Sequence, residues 1–464
     1  MQLNIFLSCG PIMLSGLLIS PGTMAEDSKP WRLQQALALP QWLNLNGTHR
    51  TRYETLSSQF RAARSGSDQV LVTRTTALLR LHRDGLTVGG ELMDSRAALD
   101  DSGTPISTGI VNTAELLQAY VQLQRKDIFS PGSQNDLRIG RITMDVGSRR
   151  FVARNRYRNT INAFTGLDWK LQSAKGSQWR AFFTLPVNRK PNTPAELRGN
   201  DRKFDRQNSE FKFWGLHFAA TLNSRDQAEL FYFGIDEEDT SNRPTRNRKL
   251  TTLGFRLYRN PQLSRFDYQL ETALQIGQSR SSTAATNTTN LNHSASFQHV
   301  ELGYSFDHRW RPRLIFQYDY ATGDNNPTDK DNDRFDTLFG ARRFDFGPTG
   351  IYGPFARSNI NTPGLRLQLN PSPAITTFIA YRAYWLAADR DAWTTSQVQD
   401  PSGATDPFIA HQIEARLRWT IRPNNFRLES GLAHLFSGKF MNDAPNTNAQ
   451  GDATYFYTQV TLSF

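Results

Sequence analysis

The sequence has almost no cysteine. Cys9 is the only one in 464 residues, and its flanking residues do not fit a lipoprotein processing site. If the first 25 residues are removed, the mature chain has no disulfide, no thiol nucleophile and no cysteine-based metal site. The sequence also lacks any run of 18 or more apolar residues after its N-terminus, so it contains no candidate transmembrane helix. The mean hydropathy of −0.56 describes a polar chain.

Charge is absent from the N-terminus. Residues 1–25 contain no Lys, Arg, Asp or Glu, and an apolar core over residues 12–19 is followed by small residues up to Ala25. This pattern predicts a secretory signal peptide over residues 1–25, although it lacks the usual basic n-region.

Acidic residues are outnumbered in the chain. There are 43 of them against 54 Lys and Arg, a net charge of +11, which favours an anionic partner or surface. The basic residues are spread over the chain without a recognisable nucleic-acid-binding domain, so nucleic acid is not a predicted partner. The eight histidines form no local motif with Ser or Asp, which makes an enzyme, such as a phospholipase or protease, the less favoured hypothesis.

Alternation of apolar and polar residues is the main pattern that is present. In the last strand, over residues 456–464, Phe456, Val460, Leu462 and Phe464 lie on one face and polar residues lie on the other. About 18 such segments occur between residue 44 and the C-terminus. An edge strand of a soluble sandwich is the alternative for any one segment considered alone.

Connections between these segments alternate in length, and this favours a membrane barrel over a sandwich. The short ones are 82–85, 173–176, 223–226, 260–264, 308–312, 370–373 and 422–425. The long ones are 57–68, 95–114, 146–159, 189–208, 236–248, 279–293, 322–361, 388–409 and 438–453. We therefore predict an all-β protein, a single transmembrane antiparallel up-and-down β-barrel of about 18 strands over residues 44–464, in the bacterial outer membrane. Its turns would be short and periplasmic and its loops long and extracellular, with residues 26–43 as a periplasmic N-terminal segment.

The polar face of such a barrel would line the pore, and arginine dominates it. Rings of Arg or Lys select anions in pores, and a guanidinium fork matches a carboxylate. Two loop stretches add further arginines: residues 137–164, with seven arginines and one acid, and residues 322–363. The predicted pore-lining, substrate-binding residues are Arg52, Arg74, Arg80, Arg138, Arg141, Arg149, Arg150, Arg256, Arg342, Arg343, Arg366, Arg382, Arg416 and Arg418. The plainer interpretation is that each arginine pairs with an acid on the same wet wall.

Several short motifs carry a family resemblance. They are Gly140-Arg141, Gly147, Arg149-Arg150, Thr322-Gly323-Asp324, the run Phe-Asp-Thr-Leu-Phe-Gly at 335–340, Asn359 and the terminal Phe464. With these marks the chain resembles the alginate export family of bacterial outer-membrane proteins. The resemblance implies an 18-stranded barrel whose basic constriction passes an anionic exopolysaccharide without an energy source of its own. The turn at 422–425 is too short for a periplasmic plug, so the long loops, chiefly 95–114 and 322–361, are the predicted gates.

The expected partners are an anionic polysaccharide such as alginate, outer-membrane lipid and lipopolysaccharide, and periplasmic export proteins. A specific porin for the uptake of small acidic metabolites or sugars is the alternative function, because the same arginine wall serves both. A calcium site in an extracellular loop is a secondary hypothesis, based on Asp329, Asp331 and Asp333 at every second residue. Solvated loop acids are the favoured interpretation there, and no other cofactor is predicted.

Overall fold

The computed structural model describes residues 30–240, 243–449 and 451–464. The predicted signal peptide, residues 1–25, lies outside the described residues. Within the described ranges the strands are β1 (Leu43–Leu56), β2 (Asp68–Arg83), β3 (Leu86–Ala98), β4 (Asn112–Lys126), β5 (Gln134–Ile142), β6 (Phe164–Gln172), β7 (Gln178–Asn188), β8 (Arg206–Gln207), β9 (Phe211–Thr221), β10 (Asp226–Glu237), β11 (Lys249–Arg259), β12 (Arg265–Ser279), β13 (Leu291–Ser305), β14 (Arg313–Ala321), β15 (Asp331–Asn332), β16 (Ile360–Ser372), β17 (Ile375–Trp385), β18 (Phe408–Arg422), β19 (Phe426–Ser437) and β20 (Ala453–Ser463). The helices are α1 (Leu33–Ala36), α2 (Pro194–Arg198), α3 (Arg343–Phe346) and α4 (Lys439–Asp443). In this part of the chain no helix has the length and apolarity needed to cross a membrane.

Eighteen of the strands form one closed antiparallel barrel. Each pairs with the next along the chain, except that β7 pairs with β9 and β14 with β16, because β8 and β15 are two-residue strands within loops. The pairing of β1 with β20, from Thr48 opposite Ser463 to Leu56 opposite Tyr455, closes the cylinder. The predicted fold class is confirmed.

The two faces of the barrel wall have opposite chemistry, as β12 illustrates. Leu270, Leu274 and Ile276 point outward and are 37–57% exposed, whereas Glu271 and Gln275 are buried inside. A soluble protein would have the reverse distribution. Exposed apolar side chains around the outside and buried charges within are the pattern of a barrel that lies in lipid.

The seam between the first and last strands is reinforced at the end of the barrel that carries the chain termini. Gly47 and Phe464 exchange two backbone hydrogen bonds of 2.9 and 3.0 Å. The Phe464 ring covers Gly47 so closely that a Cβ there would lie 2.5 Å from the ring, which explains the glycine. Trp31 is joined to Asn425 by two hydrogen bonds of 2.8 and 2.7 Å, so the N-terminal segment crosses the seam.

Connections differ sharply between the two ends, as the sequence predicted. At the end with the termini, the turn end, connections have two to seven residues, such as 84–85 and 127–133. At the opposite end, the loop end, they are long; the longest runs from Ala321 to Ile360. Two of these long loops turn back into the barrel.

Candidate functional site

Two loops enter the barrel from the loop end. Residues 143–163 connect β5 to β6 and form the first inward loop; residues 335–359, in the connection between β14 and β16, form the second. Phe151, Val152 and Tyr352 from these loops are almost completely buried within the cylinder. Burying each such side chain contributes roughly 1.5–3 kcal/mol. The barrel interior is therefore packed with protein at this depth.

Aromatic rings join the inward loops to the wall. The Phe151 ring lies 5.3 Å from that of Phe231 and 5.7 Å from that of Phe297. The Phe355 ring stacks on that of Tyr384, with centroids 3.4 Å apart. These contacts fix both loops against β10, β13 and β17.

Wall arginines hold the first inward loop by its backbone. Arg50, Arg52 and Arg74 donate hydrogen bonds of 2.8–3.2 Å to the carbonyl oxygens of residues 156–158. A carbonyl satisfies a guanidinium donor but does not cancel its charge. Within the described residues neither Arg50 nor Arg74 has an ion-pair partner, so this wall stays positive.

A buried ion cluster locks the two inward loops together. The Arg150 Nη atoms lie 2.6 Å from Glu271 of β12 and 3.0 Å from Asp345 of α3. Asp345 also forms an ion pair with Arg357. His299 contacts Arg150 through Nε2 at 2.9 Å. We call these residues the interloop cluster.

The cluster continues into the wall and is balanced in charge. The Nδ1 atom of His299 lies 2.7 Å from Asp319, and Arg382 lies 2.6 Å from the same carboxylate. Three guanidiniums, of Arg150, Arg357 and Arg382, thus face three carboxylates. All are at most 4% exposed, and a buried charge of this kind needs its partner to remain where it is.

Three cavities lie around the inward loops. A vestibule of about 570 Å³ opens at the loop end, and an inner chamber of about 280 Å³ lies below it. The two share Asn162, Arg189, Leu338 and Phe339 in their linings. A third cavity of about 560 Å³ at the turn end shares no lining residue with either, and the first inward loop contributes residues 145–147 to its wall. The first inward loop therefore borders cavities at both ends of the barrel.

The inner chamber is lined by arginines, and none of the described residues in its lining is acidic. Arg158 and Arg189 both donate to the Oδ1 of Asn162, and Arg342 donates to the Phe355 carbonyl at 3.1 Å. Within the described residues these three arginines have no ion-pair partner, and Arg357 of the interloop cluster completes the wall.

Burial and neighbouring positive charges lower the pKa values of two of these arginines. Burial lowers the pKa of Arg158, and the positive charges of Arg189 and Arg342 lower it further. Burial and the charge of Arg357 lower the pKa of Arg342 to about 10. A negative charge in the chamber would oppose both shifts.

The run at 335–340 forms the lip between vestibule and inner chamber. Phe335 is buried, and Asp336 lies 3.0 Å from Arg248 on the wall. The Phe339 ring packs 4.8 Å from Phe213, and the Phe339 carbonyl accepts from the Asn162 amide at 3.1 Å. A Cβ on Gly340 would lie 1.7 Å from a backbone oxygen of the first inward loop, so only glycine fits.

The structure places the fourteen predicted arginines in two groups. Eight form ion pairs: Arg52, Arg138, Arg141, Arg150, Arg256, Arg343, Arg382 and Arg418. Six have no ion pair among the described residues: Arg74, Arg80, Arg149, Arg342, Arg366 and Arg416. Of the fourteen, only Arg342 lines the inner chamber. Arg141 has the opposite strand parity to Arg138 and lies at the loop end of β5, 2.6 Å from Glu115.

Three chamber arginines are missing from the predicted set. Arg158 lies in the arginine-dense stretch that the sequence analysis identified, and its distance from any acid in sequence was the available signal. Arg357 lies within the second dense stretch. Arg189 follows directly after β7, and no local pattern distinguishes it from other loop arginines.

The acidic part of the loop after β14 lies outside the barrel mouth. Asp329 accepts from the backbone of Asp331 at 2.8 Å, and Asp331 accepts from Asn292 at 3.1 Å. Across residues 30–240, 243–449 and 451–464, no three His, Cys, Asp or Glu side chains are grouped to hold a metal ion. Calcium binding by Asp329, Asp331 and Asp333 stays a secondary proposal.

Comparison with known families decides the identity. A model of the alginate export family matches residues 41–454, which is most of the chain and all barrel strands from β1 to β19, and the match ends at the start of β20. The chain belongs to the alginate export family. The resemblance seen in the motifs is thereby confirmed. No curated protein matches the chain by sequence.

Solved structures support the fold. OccK9 (OpdG) of Pseudomonas aeruginosa superposes with a TM-score of 0.60 and 11% identity, covering 91% of this chain and 98% of that one. OccK3 (OpdO) of the same organism gives a TM-score of 0.57 and 11% identity, with coverages of 91% and 95%. The outer-membrane protein opdK, also of P. aeruginosa, gives 0.57 and 9%, with coverages of 91% and 99%. At such identities the likeness shows a shared fold.

This alginate export family member is an outer-membrane pore protein. Barrels of this type place their short turns in the periplasm and their long loops outside the cell. The turn end is therefore periplasmic and the loop end extracellular. The vestibule faces the outside, and the inner chamber lies between the vestibule and the interloop cluster.

The loop after β7 is docked beside the vestibule through Asp205. This carboxylate accepts from the Lys190 backbone at 2.7 Å and from the Asn112 amide at 2.8 Å. The backbone N–H of Asp205 donates to the Glu115 carboxylate at 2.9 Å, and Arg141 forms an ion pair with that same carboxylate. Burial, together with repulsion from Glu115, raises the pKa of Asp205 to about 6.

Docking of this loop is therefore expected to weaken as pH rises. The pKa of Asp205 in the docked state lies above its ordinary value of 3.8, so its contribution is complete below that value and is lost as pH rises through about 6. Hydrogen-exchange protection factors of residues 189–210 should fall by up to about tenfold per pH unit across this window. An Asp205→Asn variant should show a flat profile. Equal slopes in both proteins would show that another group is responsible.

Proposed function

We propose that this protein is a passive, anion-selective pore that exports an anionic exopolysaccharide, of the polyuronate class, through its arginine-lined lumen. The observation that carries the proposal is the inner chamber. It presents the guanidiniums of Arg158, Arg189 and Arg342 without a single lining acid. Membership of the alginate export family supports a polysaccharide as cargo.

Arginine suits this task for chemical reasons. A guanidinium is always charged, is weakly hydrated and binds carboxylate through a planar fork. Several of them in sequence, each partly satisfied by a carbonyl or amide, can pass a carboxylate along without one tight site. Ion-paired arginines at other depths, such as Arg52 with Glu54, would maintain the wet wall rather than hold cargo.

The conformation described here corresponds to a closed pore in this proposal. Both inward loops lie across the lumen, and the interloop cluster holds them together. Neither the barrel nor the loops contain a recognised nucleotide-binding motif, so transport would follow the gradient of the polymer. We propose no catalytic role for the chain.

Ion selectivity in planar lipid bilayers tests the proposal. Under a salt gradient, the reversal potential of the purified protein should show preference for chloride over potassium. Replacing Arg158 and Arg342 by Gln should reduce the preference several-fold, and replacing both by Glu should invert it, because these charges line the inner chamber. The measurement is made in the wild-type background and in an Asp345→Asn background, which removes the carboxylate that joins the two inward loops.

A matched double change controls for surface charge. Arg202 and Lys203 lie on the exterior loop after β7 and line none of the three cavities. Their replacement by Gln removes the same charge and should leave the reversal potential unchanged. A wild-type pore selective for cations, or one indifferent to the Arg158 and Arg342 changes, would contradict the proposal.

A further inference from the structure

The vestibule carries charges that the interloop cluster does not use. Of its five basic lining residues, Arg243 and Arg248 form ion pairs with Glu237 at 3.1 and 2.7 Å. Arg189, Lys190 and Arg206 have no ion-pair partner among the described residues. No acidic residue among those that the structure describes lines the vestibule. Three positive charges thus remain available to a ligand at the extracellular mouth.

Amide side chains surround these charges. Asn162, Asn188, Asn192, Gln207 and Asn208 all line the vestibule. The oxygens of Asn192, Gln207 and Asn208 each accept one hydrogen bond from the protein, at 2.8–3.0 Å. Their amide nitrogens have no partner within the described ranges, so donors for hydroxyl groups face the cavity.

Apolar surface completes the lining. Leu338 and Phe339 form the lip toward the inner chamber, and Phe164 and Phe211 lie behind them. The Phe339 ring lies 5.1 Å from Phe164, so the floor is a fixed aromatic surface. A pyranose ring presents C–H groups on one face and hydroxyls at its rim. An apolar floor with amides around it therefore suits a sugar better than it suits a bare inorganic anion.

We propose that the vestibule is a separate subsite for a short segment of an acidic polysaccharide. Lys190 and Arg206 would hold its carboxylates, the amides of Asn192, Gln207 and Asn208 its hydroxyls, and Phe339 the face of one ring. Arg189, which borders both cavities, would transfer a carboxylate between the inner chamber and this subsite. This inference rests on the proposed export function and adds a binding step at the point of exit.

Equilibrium binding tests the subsite without requiring an open pore. Isothermal titration of the detergent-purified, full-length protein with a hexamer of mannuronate should give saturable binding. Changing Lys190 and Arg206 together to Gln should weaken it at least tenfold, because two charge-assisted hydrogen bonds are lost. A Phe339→Ala variant should weaken it as well, whereas a neutral glucan hexamer should not bind.

The Arg202 and Lys203 double change to Gln serves as the matched control, since it removes the same charge from the same loop outside the vestibule. It should bind the hexamer like the wild type. If both double variants bind the hexamer equally weakly, the effect is a general electrostatic attraction to the positive protein surface, and the subsite proposal is wrong. Tighter binding of a linear polyphosphate of equal charge would overturn the assignment to a sugar.

The two proposals fail in different ways. If the pore is anion-selective but the Lys190 and Arg206 changes leave hexamer binding unaltered, the subsite is wrong and the export pore stands. If the inner-chamber changes leave selectivity unaltered, the export pore fails first, and a vestibule that still binds the hexamer would then be a surface site for an acidic polysaccharide.

Discussion

An Asp345→Asn variant is expected to conduct ions several times better than the wild type. Asp345 is the one carboxylate shared by Arg150 of the first inward loop and Arg357 of the second. Without its charge, two guanidiniums lie buried side by side with Glu271 as the nearest carboxylate. Breaking a buried pair in this way costs about 3–5 kcal/mol, which should shift the inward loops toward release from the lumen while the barrel remains closed by its own hydrogen bonds.

Conductance in planar bilayers measures this effect directly. An Asp389→Asn change removes the same charge from an exposed loop residue and should conduct like the wild type. Circular dichroism should show an unchanged strand content for both variants, because Asp345 lies in α3 and takes no part in the pairing of the barrel strands. If Asp345→Asn conducts like the wild type with an intact barrel, the interloop cluster does not hold the pore closed.

The second large effect is expected on the outside of the barrel. Leu274 lies about midway along β12, points outward and is 57% exposed on the isolated protein. In the membrane this position faces hydrocarbon, where arginine costs about 2–4 kcal/mol near the midplane. A Leu274→Arg variant should therefore lose that much free energy of unfolding in lipid vesicles, measured by denaturant titration.

The loss of free energy of unfolding should depend on where the arginine is placed, and not on the arginine itself. A Ser282→Arg change in the exposed loop after β12 adds the same side chain to water and should leave the free energy of unfolding within about 0.5 kcal/mol of the wild type. Equal stability of the Leu274→Arg and Ser282→Arg variants would mean that the outer face of β12 does not contact lipid.

Strand faces were predictable because a strand has a fixed period. Once Leu270, Leu274 and Ile276 are seen to alternate with Glu271 and Gln275, one face must be apolar whatever the neighbouring strands are. The barrel followed from the alternation of short and long connections, and the strand number from counting segments. The sequence predicted a gate at 322–361, and part of that loop, residues 335–359, does enter the lumen. It did not predict that residues 143–163 enter the lumen as well.

Arginine partners were less predictable, because they depend on contacts between residues far apart in the chain. Arg150 meets Glu271 and Asp345 across separations of 121 and 195 residues. By the two-residue period of β5, Arg141 belongs to the outer face, but it lies at the end of the strand and forms an ion pair with Glu115 there. Arg158, which has no ion-pair partner within the described residues, and Arg150, which has two, lie in the same dense stretch. Locally they differ only in that Arg158 is farther in sequence from Asp145.

The sequence by itself determined a lipid-soluble cylinder of about 18 strands and its periplasmic and extracellular ends, because these depend on a two-residue period and on the lengths of the connections. Only the tertiary structure decided which arginines stay unpaired and which loops fold back into the lumen. The inward loops bring side chains together from distant parts of the chain, and burial then determines whether each guanidinium finds a carboxylate or only a carbonyl.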